Sequence, residues 1–184
     1  MSHALVIGGS GMLRNTCLYL TRNHSTVSVV GRNSAKLQKL HSADAKINPI
    51  SANYVDTSAF VDSIEKSVTE HGPVTLAVCW IHDTAPQAAL LSAQHLAKYD
   101  RKVDFYHVLG SESSRPDSGT SQLRDSFSAL SDIFYHQVIL GFIINGKNSR
   151  WLTNEEIFSG VNRAIDARLP LMTVGTTEPW DMRP

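Results

Sequence analysis

The sequence predicts an α/β protein, a three-layer, doubly wound and mainly parallel sheet of about seven strands with helices on both faces. Three observations carry this expectation. Short β-branched runs alternate with segments of helical periodicity along the whole chain. One run, Val74 to Trp80, is continuously apolar, as a strand covered by helices on both faces must be. A glycine cluster, Gly8-Gly9-Ser10-Gly11, falls between the first strand and the first helix.

The elements follow in order. His3 to Ile7 forms the first strand, and Leu13, Cys17, Leu18 and Leu20 mark the helix after the glycines. Val27 to Val30 is a second strand closed by Gly31, after which Ser34 can cap a helix carrying Leu37 and Leu40. A third strand spans Ile47 to Ala52, where Pro49 places it at an edge or makes its start ragged. Asp56 precedes a helix with Phe60, Val61, Ile64 and Val68 on one stripe and Gly72-Pro73 as its stop. After the Val74 to Trp80 strand come a helix from about Pro86 to Lys98 and a strand from Val103 to Leu109, ending in Gly110 and Ser111. The stretch from Ser111 to Ser121 is rich in Ser, Gly, Pro and Asp and reads as a loop or flap, with a short amphipathic piece from Leu123 to Leu130 beyond it. An apolar strand begins near Ile133 and runs to Ile144 before the Asn145-Gly146 turn. Thr153 and Glu156 make a capping box for a helix with Ile157, Val161 and Ile165, and Leu171 to Val174 is the last strand. No linker, repeat or low-complexity tract interrupts this order, so residues 1–184 are expected to form one domain.

Composition narrows the function classes. Lys plus Arg number 17 and so do Asp plus Glu, which leaves no broad field to hold a nucleic acid or an anionic membrane. The 42% of apolar residues suffices for a core without metal or disulfides. Cys17 and Cys79 sit in apolar segments with no zinc spacing, and the eight histidines form no HxH or HExxH pattern, so no metal is expected. No run approaches the roughly 20 apolar residues of a membrane span, and the apolar start is too short for a signal sequence. A cytoplasmic protein is expected, with the two-fold oligomer common among such domains.

In doubly wound sheets ligands bind beyond the carboxyl ends of the strands, which singles out the glycine turn. Gly8 and Gly9 open it, Gly8 permits the tight turn, and Gly11 lets the backbone approach a pyrophosphate at the helix start, alongside Ser10, Met12 and Leu13. Arg14 occupies the third glycine position of a G-x-x-G-x-x-G spacing and adds a cation. About twenty residues on, the second strand ends in Gly31-Arg32-Asn33-Ser34, with no carboxylate to bind a ribose 2′-hydroxyl. Arg32, aided by Lys36, would instead pair with a 2′-phosphate, which favours NADP(H) over NAD(H).

The glycine turn, the Gly-Arg-Asn strand end and the order of elements resemble the short-chain dehydrogenase/reductase superfamily in its atypical, NmrA-like branch, with a Rossmann fold. That resemblance implies that Asn53 and Tyr54 lie beside the adenine, although Asn53 stands where the superfamily usually has Asp. It also implies that Trp80-Ile81-His82 takes the place of the Asn-Ala-Gly stretch near the nicotinamide ribose, and that Ser111 occupies the position of the catalytic serine. The superfamily's Tyr-x-x-x-Lys pair is missing: Tyr135 is followed four residues later by Ile139, in a strand, and reads as structural.

His82 and Ser111 remain as candidate catalytic groups, the first as proton donor and the second as hydrogen-bond donor to a carbonyl, each with a plain structural alternative in the loop. Glu112, Ser113, Ser114, Lys147 and Trp151 stand at the same end, and Trp151 and Trp180 either close a pocket or pack in the core or at an interface. Two readings stay open. The first is an NADPH-dependent oxidoreductase acting on a small carbonyl, imine or quinone; the second is a non-catalytic NADP(H)-binding sensor or regulator.

Overall fold

The computed structural model describes residues 2–81, 85 and 87–184. Seven strands form one parallel sheet in the order β3-β2-β1-β4-β5-β6-β9. They are β1 (His3–Ile7), β2 (Thr26–Gly31), β3 (Ile47–Ser51), β4 (Val74–Cys79), β5 (Val103–Gly110), β6 (Ile133–Leu140) and β9 (Leu171–Val174). Every pairing within the sheet is parallel, so each connection crosses over and carries a helix. The helices are α1 (Arg14–Leu20), α2 (Ser34–Ala43), α3 (Thr57–His71), α4 (Ala88–Leu96), α5 (Thr120–Ser128) and α6 (Asn154–Asp166).

Strand alternation sorts the side chains into two cores. Ala4 and Val6 of β1 face a core completed by Leu13, Cys17, Leu20, Leu37, Leu40, Val161 and Ala164, on the side covered by α1, α2 and α6. Leu5 and Ile7 face the opposite core, with Phe60, Ile64, Val68, Ala89, Leu96 and Phe127 from α3, α4 and α5. Both faces are thus buried, which is why stretches such as Ala4 to Ile7 and Leu76 to Cys79 carry apolar side chains toward both faces. The order reverses between β1 and β4, and the crevice beyond their carboxyl ends is where this fold receives a ligand.

Several local expectations are sharpened. Pro49 lies in β3, an edge strand of the sheet, where a missing N–H is tolerated. The side chain of Asn33, not Ser34, caps α2, accepting from the Lys36 amide at 2.9 Å. The apolar run from Ile133 to Ile144 is two strands, because it breaks at Gly141. Its second part, β7 (Phe142–Asn145), turns at Gly146 and pairs antiparallel with β8 (Asn148–Trp151), a strand the sequence reading lacks. The expected flap is partly ordered: Ser111–Ser114 form a 3-10 turn and α5 begins at Thr120. The capping box is present, with Thr153 Oγ1 accepting from the Glu156 amide at 3.2 Å and the Thr153 amide donating to Glu156 Oε2 at 2.8 Å. Cys17 and Cys79 are buried free thiols, and burial pushes both up from the ordinary thiol range. Among the described residues no helix is long and apolar enough to cross a membrane.

Candidate functional site

The glycine turn meets three different demands. Gly8 has φ of +78°, and a Cβ there would stand 2.1 Å from the Trp80 carbonyl oxygen, so only glycine allows β1 and the end of β4 to come together. At Gly9 a Cβ would come within 2.7 Å of both Cys17 Sγ and Val29 Cγ1, which makes this position a contact between helix, turn and sheet. At Gly11 a Cβ would meet nothing within 4 Å, because the backbone faces open space. Among the described residues, the amides of Ser10, Gly11, Met12 and Leu13 have no hydrogen-bond partner. Such a run of free N–H groups suits the oxygens of an anion.

Ser10, Gly11 and Met12 border a cavity of about 370 Å³ whose walls also include Gly31, Arg32, Asn33, Lys36 and Tyr54. Arg32 and Lys36 are exposed, and Arg32 lies over the Tyr54 ring at 5.5 Å while Tyr54 is itself buried. Among the described residues the wall thus offers two cations and no carboxylate. The remaining residues of this group are placed differently. Leu13 is buried in the core, and Arg14 and Ser34 are exposed outside the cavity wall. Asn53 closes a local turn, its side chain accepting from the Val55 amide at 3.2 Å.

Met12 and Trp80 border this cavity and also a second one of about 420 Å³, so the two adjoin beyond the switch in strand order. Ile81 lines the second cavity, and His82 lies outside the described residues. Ser111 lines it from the end of β5 and is only 2% exposed. Apolar side chains of β5, β6 and α6, among them Val108, Leu140 and Ile157, supply much of the wall.

The sequence reading missed Arg183. After β9 the chain crosses Phe142 through a bridge at Thr176, and a 3-10 turn at Trp180–Met182 brings Arg183 into the second cavity. Arg183 Nε donates to Ser111 Oγ at 2.9 Å, and Nη1 pairs with Glu112 Oε1 at 2.8 Å. The guanidinium carbon lies 5.0 Å from the ring centres of both Trp151 and Trp180. Pairing across 72 residues leaves no spacing for a sequence pattern to catch. Ser111, Glu112, Trp151 and Trp180 were each singled out in the sequence, but nothing in it joined them to Arg183.

Below this end runs a polar chain that starts at the exposed Arg124 and ends at the buried His107. Arg124 Nη2 donates to Gln137 Oε1 at 2.7 Å, Gln137 Nε2 donates to the Tyr135 oxygen at 3.3 Å, and Tyr135 lies 3.0 Å from His107 Nδ1. With its oxygen accepting from Gln137, Tyr135 keeps its O–H to donate to His107 Nδ1, the pairing of an imidazole that carries its hydrogen on Nε2. Burial alone brings the His107 imidazole down to about 4, and burial first of all pushes the Tyr135 phenol up to about 12. Tyr135 also stacks on Phe127 at 4.0 Å and borders neither cavity, so it is a packing residue. Among the described residues no group of three or more His, Cys, Asp or Glu side chains is arranged to hold a metal ion.

No protein-family model and no curated protein matches the sequence. Solved structures do match the fold. A blue fluorescent protein from a metagenomic library, in complex with NADPH, aligns with a TM-score of 0.73 at 15% identity, covering 95% of this chain and 96% of its own. The short-chain dehydrogenase/reductase SDR:Glucose/ribitol dehydrogenase from Brucella melitensis aligns at 0.74 and 11% identity, covering 95% and 94%. A 3-ketoacyl-ACP reductase from Sinorhizobium meliloti aligns at 0.72 and 12% identity, covering 94% and 97%. With the parallel order of its seven strands and the cleft at their carboxyl ends, the chain has the Rossmann-type fold seen in short-chain dehydrogenases/reductases.

Proposed function

We propose that this protein is an NADP(H)-dependent oxidoreductase that reduces a small carbonyl, imine or quinone compound without a Tyr-x-x-x-Lys pair. The observation that carries the reading is the adjoining pair of cavities. One has free backbone amides with Arg32 and Lys36 on its wall, and the other has Ser111 and Arg183, with Met12 and Trp80 between them. The residues fit a dinucleotide phosphate. Gly11 leaves room for the pyrophosphate, the amides of Ser10 to Leu13 supply donors, and Arg32 with Lys36 would hold a 2′-phosphate. When bound, the cofactor supplies hydride. The chain's own task is then to orient the substrate in the second cavity and to stabilise charge on the reacting oxygen through Ser111.

One observation favours the second reading, a non-catalytic NADP(H)-binding sensor. No tyrosine in the sequence has a lysine four residues on, and Tyr135 is committed to His107 and Phe127. The experiment that separates the readings is a fluorescence titration with NADPH and NADH, followed by NADPH absorbance with a panel of carbonyl and quinone compounds. Turnover that falls in His82→Ala or Ser111→Ala supports the enzyme. Tight NADPH binding with no turnover across the panel supports the sensor, and absence of any nicotinamide binding refutes both.

A further inference from the structure

We propose that Arg183 and Ser111 form the oxyanion-binding element of the second cavity, with the guanidinium supplying the positive charge that no lysine of the chain brings to Ser111. The inference rests on the reductase reading and deepens it. Because Arg183 Nε donates to Ser111 Oγ at 2.9 Å, the serine oxygen already accepts a charged hydrogen bond. Its own O–H has no acceptor among the described residues and remains to be donated into the cavity that Ser111 lines. Of the other guanidinium nitrogens, Nη1 is held by Glu112, whereas Nη2 has no hydrogen-bond partner among the described residues. The rings of Trp151 and Trp180, each 5.0 Å from the guanidinium carbon, fix the plane of the group. Two kinds of donor, a hydroxyl and a guanidinium N–H, therefore border one cavity whose remaining wall includes Met12, Trp80, Val108 and Leu140.

The chemistry balances without a protein acid. Hydride addition to a carbonyl carbon breaks the C=O π bond and moves its electron pair onto oxygen. Ser111 O–H and Arg183 N–H hold the resulting oxyanion, which takes its proton from solvent water. A guanidinium keeps its protons throughout the ordinary pH range, so its contribution is electrostatic and not proton transfer. Donors of this kind act more strongly beside apolar walls than in water. Glu112 opposes the effect: its carboxylate steadies the guanidinium through Nη1 and cancels part of its field.

The test uses 4-nitrophenol, whose ionised form is a coloured aryl oxyanion, titrated against pH with the full chain saturated with NADP+. Bound to the wild type, the probe should ionise about one unit lower, a tenfold shift in its ionisation ratio. Arg183→Gln should abolish the shift, Arg183→Lys should retain part of it, and Glu112→Gln should enlarge it. Circular dichroism and thermal unfolding establish that each variant is folded, and Arg183→Lys answers the question if Arg183→Gln is not. A merely structural Arg183 would change unfolding without making Glu112→Gln and Arg183→Gln move the probe in opposite directions. The inference is overturned if the probe does not bind, if its titration is unshifted on the wild type, or if the shift survives in Arg183→Gln. NADP+ and NADPH titrations of the same proteins separate the two levels. Failure to bind nicotinamide removes the reductase reading, whereas normal binding with an unshifted probe removes only the role of Arg183.

Discussion

Lowering the pH should destabilise this protein through His107 before its carboxylates titrate. The imidazole is 5% exposed, its Nδ1 accepts from Tyr135, and burial brings it from the ordinary 6.5 to about 4. Because the folded value lies below the unfolded one, the stabilisation is complete above the unfolded pKa and is lost as pH falls, until the folded form also takes the proton. The full gap corresponds to about 3 kcal/mol, of which about 2 kcal/mol is lost between about pH 7.5 and about pH 5. Protonation in the folded state would also turn Nδ1 into a donor facing the Tyr135 donor, an unfavourable pairing. The assay is urea unfolding at those two pH values for the wild type and His107→Asn, whose amide oxygen can replace the Nδ1 acceptor and does not titrate. His3 and His95, both also lowered chiefly by burial, are common to the two proteins and cancel in the comparison. The variant should lose about 2 kcal/mol less than the wild type on acidification. Parallel losses in the two proteins, or a His107 ring that titrates near 6.5 by NMR, would refute the reasoning.

Further outcomes concern the cleft at the glycine turn and the helices. Arg32→Ala should raise the NADPH Kd by roughly 10- to 100-fold, the worth of a charge-assisted contact, while leaving NADH titrations unchanged. Gly8→Ala should cost about 2 kcal/mol or more in urea unfolding, since its Cβ would stand 2.1 Å from the Trp80 oxygen at φ of +78°. Gly11→Ala should leave unfolding within about 0.5 kcal/mol, because nothing lies within 4 Å, yet weaken NADPH binding by narrowing the approach to the turn. Thr153→Ala should cost about 1 kcal/mol in the same assay by removing the cap of α6.

The sequence was most legible where one local rule decides the structure. Val74 to Cys79 reads as a buried strand because helices cover both its faces, and Asp56 and Thr153 read as caps because their side chains serve the amides three residues on. The β7-β8 hairpin was illegible for the opposite reason. Asn148-Ser149-Arg150-Trp151 carries no apolar alternation, and its position depends on pairing with Phe142 to Asn145, a partnership visible only once the chain has turned. The site divides in the same way. Gly8, Gly11, Arg32 and Ser111 occupy strand ends that the fold's topology singles out in advance. Arg183 reaches Ser111 only because the bridge from Phe142 to Thr176 and the turn at Trp180 carry the last residues back across the sheet.

The balance of 17 basic and 17 acidic residues hides an uneven cleft. At the β2 end, Arg32 and Lys36 line the cavity with no carboxylate beside them among the described residues, so the local field of these residues favours a strongly charged anion held at the surface. At the β5 end Arg183, the one Lys or Arg on the wall among the described residues, is already paired with Glu112. A cavity neutral at rest gives a substrate carboxylate or phosphate little net attraction, yet the free Nη2 can still meet charge that develops on an oxygen during reaction. Catalysis requires that difference, because a contact that strengthens only as charge develops lowers the barrier without tightening the ground state. On the proposed reading, hydroxyl and cation come from Ser111 and Arg183 on two separate segments and not from a Tyr-x-x-x-Lys pair on α5, which packs Phe127 on Tyr135 and carries Arg124, the outer end of the chain of contacts to His107.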